Sequence, residues 1–374
     1  MNIALLSNFS KFLKEATNIT VLDFAKELKK NGHNPYIITG GRQGLKKHEL
    51  IQGIPVYNLY NFSKIPLISN FLNIFLSYPL SINKLKRNGI KFDILHGFSS
   101  SPIIVLRSVF SRLLNGDGKI IHTIKSSPKQ KTWTGFAWLL NLANIIIVQN
   151  KVALNVLTKK GANPKKMRVI HSHININKFK PLNKKKIKKI YGYANKKVIL
   201  NYGAMLEQKG VDILIGTIPK VSKTIPGVEF VFVSRFKPKE KYYSALRQFR
   251  NAKIIFKDVN MVHYVNLSDM VVLPYPTLVG TESNPSCLLE SMACKTPVIT
   301  TDLPELRDIV EPNIDVLMAD PGNVNSLSEK IIKLFTDNKL QKTIIETAYI
   351  KSKKFSVETI TKKILKTYNE ALKK

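Results

Sequence analysis

Short apolar runs alternate along the chain with longer stretches whose apolar residues recur at helical spacing. Residues 2–6 read as a first buried strand. Residues 20–31 read as an amphipathic helix that puts Val21, Phe24, Ala25 and Leu28 on one face and stops at Gly32. Further strands are predicted at 35–39, 55–58, 92–96, 119–123 and 145–149. The second half repeats the scheme, with strands at 198–202, 229–233, 252–256, 271–274, 298–300 and 316–319. Helices fall between them at 211–224, 238–249, 325–336 and 339–354, and a last helix is predicted at about 356–373. Strand–helix repetition of this kind argues for parallel sheets covered by helices. The predicted class is α/β, with two doubly wound, Rossmann-like domains at 1–180 and 181–355, joined through residues 177–197.

The 374 residues suffice for two such domains, and a hydrophobic content of 44% supplies two cores. No uncharged apolar run of about 18 residues occurs, so no membrane span is expected. The start, MNIALLSNFSK, has no basic stretch ahead of its apolar run and reads as a strand rather than a signal peptide. Cys287 and Cys294 lie in one predicted helix and read as reduced, small core residues of a cytoplasmic protein.

Charge changes the picture more. The net charge is +34, from 59 Lys and Arg against 25 Asp and Glu. Such an excess favours polyanionic partners: nucleic acid, an anionic membrane or an acidic substrate. No RNA- or DNA-binding motif accompanies it, so nucleic acid is not the expected partner. The cluster Lys184-Lys-Lys-Ile-Lys-Lys189 reads as a solvated linker. Residues 65–80, IPLISNFLNIFLSYPL, precede Lys84, Lys86 and Arg87, which suits either a membrane interface or a helix packed on the first sheet.

Candidate chemistry concentrates in residues 281–301, TESNPSCLLESMACKTPVITT, where Glu282 and Glu290 flank a loop-to-helix transition. Pro285 suits a first helical turn, and Ser283 or Asn284 can cap it. Leu288, Leu289, Met292 and Ala293 give the helix an apolar face. A strand, a loop and a helix N-terminus present free N–H groups and the positive end of a dipole, which together make an anion site. Two carboxylates flanking it suit a ligand with a central diphosphate and hydroxyls at both ends, such as a nucleotide sugar.

This segment resembles the E-x7-E signature of the family 4 retaining glycosyltransferases. Residues 201–212, NYGAMLEQKGVD, are similar to the strand–loop–helix that opens that family's donor domain. Residues 143–150, ANIIIVQN, and 166–173, KMRVIHSH, are similar to its last N-terminal-domain strands. Order and spacing match over almost the whole chain. The resemblance implies the GT-B fold: an N-terminal acceptor-binding domain faces a C-terminal donor domain across an interdomain cleft. It also implies that a final helix, residues 356–374, crosses back to the N-terminal domain.

The resemblance further implies retaining transfer of a sugar from a UDP- or GDP-linked donor, without cofactor or metal. The acceptor would be a glycan or lipid-linked acceptor of cell-surface polysaccharide or glycoconjugate synthesis. The location would be the cytoplasm, peripheral on the inner face of the cell membrane. Glu290 would bind the ribose hydroxyls and Glu282 the transferred sugar. Gly203 and the N–H groups of Ser286, Cys287 and Leu288 would meet the diphosphate, and Lys209 would offset the charge on the leaving group.

Three positions depart from the family. Ala204 follows Gly203 where an arginine is usual, and Arg235 is the candidate replacement. Glu15-Ala16 stands for the Gly-Gly of the first loop, and Lys125 for a histidine. Lys125 could hold phosphate or an acidic acceptor. His96 and His122, at strand ends, read equally as ligands or as structural histidines. The alternative function is a catalytically impaired, sugar-nucleotide- or polyanion-binding protein of the same fold.

Overall fold

The computed structural model describes residues 1–10, 16–40, 44–62, 68–116, 118–126, 134–279, 281 and 283–373; of residues 16, 17, 70 and 134 it describes the backbone alone. They form two compact units. Unit 1 comprises Met1–Ser172, Glu282–Asn284 and Val357–Lys374, and unit 2 comprises His173–Thr281 and Pro285–Ser356.

Unit 1 is built on β1 (Asn2–Leu6), β2 (Asn34–Ile38), β3 (His48–Ile51), β4 (Ile54–Tyr57), β5 (Ile94–Ser99), β6 (Lys119–Ile124), β7 (Ile145–Val148) and β8 (Met167–Val169). Their order is β3-β4-β2-β1-β5-β6-β7-β8, parallel except for the β3–β4 pair. Successive strand residues point to opposite faces. Ile3 and Leu5 accordingly join the core under α1 (Ala16–Lys30), where Val21, Phe24, Ala25 and Leu28 are buried. Ala4 and Leu6 face the other way, toward Tyr78, Ile82 and Leu85. That second face carries α2 (Ser69–Phe75), α3 (Ser77–Arg87), α4 (Val105–Asn115), a 3-10 stretch (Thr134–Leu142) and α5 (Lys151–Lys159).

Unit 2 holds β9 (Lys197–Tyr202), β10 (Val228–Ser234), β11 (Ala252–Phe256), β12 (Met270–Leu273), β13 (Val298–Thr301) and β14 (Leu317–Ala319) in the all-parallel order β11-β10-β9-β12-β13-β14. Its helices are α6 (Lys184–Ile190), α7 (Val211–Thr224), α8 (Glu240–Arg247), α9 (Met261–Leu267), α10 (Ser286–Ala293), α11 (Pro304–Arg307), α12 (Val324–Thr336) and α13 (Asn338–Ser352). Two buried clusters flank its sheet, with β9 giving Val198 and Leu200 to one and Ile199 to the other. The helix α14 (Val357–Lys373) belongs to unit 1, where Ile360, Ile364, Tyr368 and Ala371 join the α1 side of the core.

The lysine cluster at 184–189 is helix α6 and not a linker. Asn183 caps it by accepting from the Lys186 N–H, and Ile187 buries one side. Lys188 closes on Asp269 at 2.5 Å, so part of the charge run is structural. Asparagine side chains cap α5, α9 and α12 in the same way, satisfying N–H groups that the helix leaves open.

Candidate active site

In a doubly wound sheet, ligands settle outside the carboxyl ends of the strands where the winding reverses. In unit 2 that point lies between β9 and β12, since the chain runs outward from β9 to β10 and from β12 to β13. Gly203 follows β9 with φ 123°, a conformation open to glycine, and among the described residues a Cβ there would touch nothing within 4 Å. The backbone is therefore open to close approach. Gly210 is restricted more severely: with φ 70°, a Cβ would lie 1.7 Å from the Pro274 carbonyl oxygen. Only glycine lets this loop close on the end of β12. The closure places Lys209 so that its Nζ stands 5.0 Å from the centre of the Tyr275 ring. Among the described residues Lys209 makes no ion pair. Ala204 contributes no charge, and Arg235 is exposed on the loop after β10.

After β12 the chain returns through α10. Its N-cap is Pro285, in extended backbone, with no side-chain cap. The expected cap by Ser283 or Asn284 does not form. The Ser283 N–H donates instead to the Lys125 carbonyl at 3.2 Å, within unit 1. Asn284 is buried, and among the described residues both its amide atoms are unpartnered. The Leu288 N–H donates to the Pro285 carbonyl at 3.1 Å, and the Ser286 and Cys287 amides begin the helix ahead of it.

Glu290 is half-buried one turn into α10. The Tyr202 hydroxyl, at the end of β9, donates to its Oε2 at 2.9 Å and lies 3.0 Å from the Cys287 carbonyl. Cys287 Sγ in turn reaches the Tyr202 carbonyl at 3.5 Å. Strand end and helix are thus stitched at the carboxylate. Burial, and then the Glu290 charge, hold the Tyr202 phenol well above its usual pKa of 10, so it remains a donor. Burial, with Glu290 nearby, pushes the Cys294 thiol up to about 12, and both cysteines are free thiols. Glu282 lies outside the described residues.

In unit 1 the winding reverses between β1 and β5. Arg107 of α4, 1% exposed, donates from one terminal nitrogen to the Leu6 carbonyl at 2.6 Å and the Phe98 carbonyl at 3.1 Å. Its guanidinium stacks 4.3 Å from the centre of the Tyr78 ring. Lys125 Nζ donates to Thr20 Oγ1 at 3.1 Å and stands over Phe98. His96 is fully buried; Nδ1 meets the Tyr368 hydroxyl at 2.5 Å and Nε2 meets Thr123 Oγ1 at 2.7 Å. His122 Nε2 meets Ser99 Oγ at 2.9 Å, while Nδ1 is buried without a partner among the described residues. Burial, and then the Arg107 charge, lower His122 to about 3. Both rings are neutral, and His96 ties α14 to the sheet. Ala16 begins α1, and its side chain, like Glu15, lies outside the described residues.

Unit 2 thus brings Gly203, Lys209, Ser286, Cys287, Leu288 and Glu290 to the elements around one switch point. Lys125, His96 and His122 belong to unit 1. Among the described residues no three His, Cys, Asp or Glu side chains converge as metal ligands. Sequence reasoning did not find Tyr202 or Arg107. Tyr202 sits in a strand where an aromatic residue reads as core, and the only signal was its place before Gly203. Arg107 sits in a helix whose buried side is polar.

Residues 183–351 match the family model of glycosyl transferases group 1, and residues 17–178 match that of glycosyltransferase family 4. An uncharacterised glycosyltransferase of Methanocaldococcus jannaschii is 24% identical over 327 residues, 85% of this chain and 86% of the relative. The GPI3 subunit of the phosphatidylinositol N-acetylglucosaminyltransferase of Saccharomyces cerevisiae is 24% identical over 343 residues, 87% of this chain and 73% of the relative. Among solved structures, Anabaena Alr3699/HepE in complex with UDP-glucose superposes with a TM-score of 0.78 at 18% identity, over 99% of this chain and 100% of that one. With this fold and these matches, the chain belongs to the family 4 glycosyltransferases of GT-B type.

Proposed function

We propose that the protein transfers a sugar, with retention at the anomeric carbon, from a UDP- or GDP-linked donor to a glycan or lipid-linked acceptor. The observation that carries this reading is the Glu290 carboxylate, held by Tyr202 at the β9 end beside the open backbone of Gly203. An acceptor carboxylate fixed beside an open glycine and a helix N-terminus suits ribose hydroxyls next to a diphosphate. Lys209, without an ion pair among the described residues, supplies charge for the departing nucleotide. In the proposed step the bond from C1 to the diphosphate oxygen breaks as the acceptor oxygen bonds C1 on the same face. The departing phosphate oxygen takes the acceptor proton, so no enzyme base is required.

Two names support this reading. The HepE structure holds UDP-glucose, and the yeast relative is named for glycosylating phosphatidylinositol. The reading places synthesis of a cell-surface glycan or glycoconjugate at the cytoplasmic side of a membrane. A thermal-shift panel of UDP- and GDP-sugars tests donor binding, since a ligand of the native state raises the midpoint by mass action. Product NMR tests the stereochemistry: an α-linked donor must give an α-linked product, and a β-linked product sinks the retaining mechanism. The alternative, a binder without turnover, predicts a thermal shift with neither transfer nor slow donor hydrolysis.

A further inference from the structure

Helix α4 packs Val105, Leu106 and Val109 on the core, but it also buries Arg107, Ser108, Ser111 and Asn115 and turns Phe110, Leu113 and Leu114 outward, with Leu113 71% exposed. A surface helix ordinarily turns its whole apolar stripe to the core. The polar part of the buried side is fixed by structure, since Arg107 holds the ends of β1 and β5, and Asn115 pairs with the backbone of Phe92 through both its amide oxygen and nitrogen. The neighbouring elements continue the outward apolar surface. Among the described side chains of α2 none is buried, and its Phe71 is 60% exposed beside Phe75 at a ring separation of 4.9 Å. On the other side of α4, the 3-10 stretch exposes Phe136, Leu142 and Trp138, the last to 55%. All three elements lie on one face of the unit 1 sheet. A contiguous apolar surface of this kind marks an interaction site.

Charge names the partner. Between Glu49 and Ser172, within unit 1, the sequence contains only two acidic residues, Asp93 and Asp117, against 17 Lys and Arg. Lys84, Lys86 and Arg87 end α3 beside this surface, and Lys86 Nζ donates to the Leu114 carbonyl at 3.3 Å. Lys159 and Lys160 lie beside Gly161, which abuts Trp138. None of these five cations is held in an ion pair among the described residues. No helix among the described residues is long and apolar enough to cross a bilayer. We infer that the α2–α4–Trp138 face of unit 1 docks on an anionic lipid bilayer, its apolar side chains entering the interface and its cations meeting the headgroups.

The inference rests on unit 1 alone, so its failure leaves the donor reading of unit 2 standing. The test is sedimentation of the full chain with phosphatidylcholine vesicles, with and without phosphatidylglycerol. The chain is expected to bind the anionic vesicles, weakly bind the neutral ones, and lose affinity as salt rises. Phe110→Ser with Leu113→Ser should weaken binding by about tenfold or more. Lys84→Glu with Arg87→Glu should weaken it by about fivefold for each charge removed. Both pairs of side chains face solvent, and circular dichroism of each variant should match the parent. Equal binding to neutral and anionic vesicles, or parent-like binding by either folded double variant, overturns the inference. So does a dimer in solution that either double variant dissolves.

Discussion

Replacing Tyr202 by phenylalanine removes one hydroxyl and keeps the buried ring. That hydroxyl donates to Glu290 Oε2 at 2.9 Å and links the β9 end to the Glu290 carboxylate. A hydrogen bond to a charged group contributes about 1.5–3 kcal/mol. Part of this appears as lost stability in the free protein. Only the part that pre-orients Glu290 appears in ligand affinity, and about 1 kcal/mol of it corresponds to roughly fivefold weaker donor binding. A contact made equally in the ground and transition states raises KM and leaves kcat alone. The assay is steady-state transfer with the donor varied, alongside calorimetric titration with the donor to compare Kd with KM. Unchanged KM and Kd would show that the hydroxyl orients nothing. A fall in kcat at constant KM would place Glu290 in the chemical step and refute the assignment to ribose.

Three further outcomes follow from the geometry. Gly210→Ala forces a Cβ into the Pro274 carbonyl, so urea unfolding of unit 2 should show a loss of about 3 kcal/mol or more, and a loss below 1 kcal/mol would contradict the loop closure. His122 is neutral and buried with a folded pKa of about 3, below its unfolded value near 6.5, so the unfolded chain binds the extra proton. Stability should therefore fall as pH drops from about 6.5 toward 3, by on the order of 4–5 kcal/mol from this group, and His122→Gln should flatten that limb. Tyr368→Phe leaves His96 Nδ1 without its partner and should cost about 1–3 kcal/mol, read as a lowered thermal midpoint of unit 1 with donor-induced shifts unchanged.

The strands of both sheets were legible because most are covered on both faces and read as unbroken apolar runs: Val198–Leu200 in β9, Ile145–Val148 in β7. The edge strand β3, His48–Ile51, was not, since its residues HELI are half exposed and carry no such run. The charge run 184–189 was misread because sequence shows lysines but not the Asn183 cap or the Asp269 that receives them. Helix α4 blurs periodicity: Val105, Leu106 and Val109 pack on the core beside buried Arg107, Ser108, Ser111 and Asn115, while Phe110, Leu113 and Leu114 point outward, so apolar residues fall on both sides. Motif spacing brought Glu290 and Lys209 forward as candidates, and both stand on elements around the β9–β12 switch point. Tyr202 was not, because its role depends on a helix that begins more than eighty residues later and returns to the same strand end. The three departures from the family pattern remain distinct in outcome. Ala204 leaves Lys209 as the cation beside Tyr275, Lys125 spends its ammonium on Thr20, and Glu15-Ala16 lies outside the described side chains.

The central claim, that the β9–β12 switch point of unit 2 binds a nucleotide sugar through Glu290, is tested most directly by calorimetric titration of the parent and Glu290→Ala with UDP- and GDP-sugars. The parent should bind one class of donor. The variant, folded by circular dichroism, should bind it at least about tenfold more weakly, through the loss of one or two charge-assisted hydrogen bonds. Equal donor affinity in the parent and the folded variant would contradict the account.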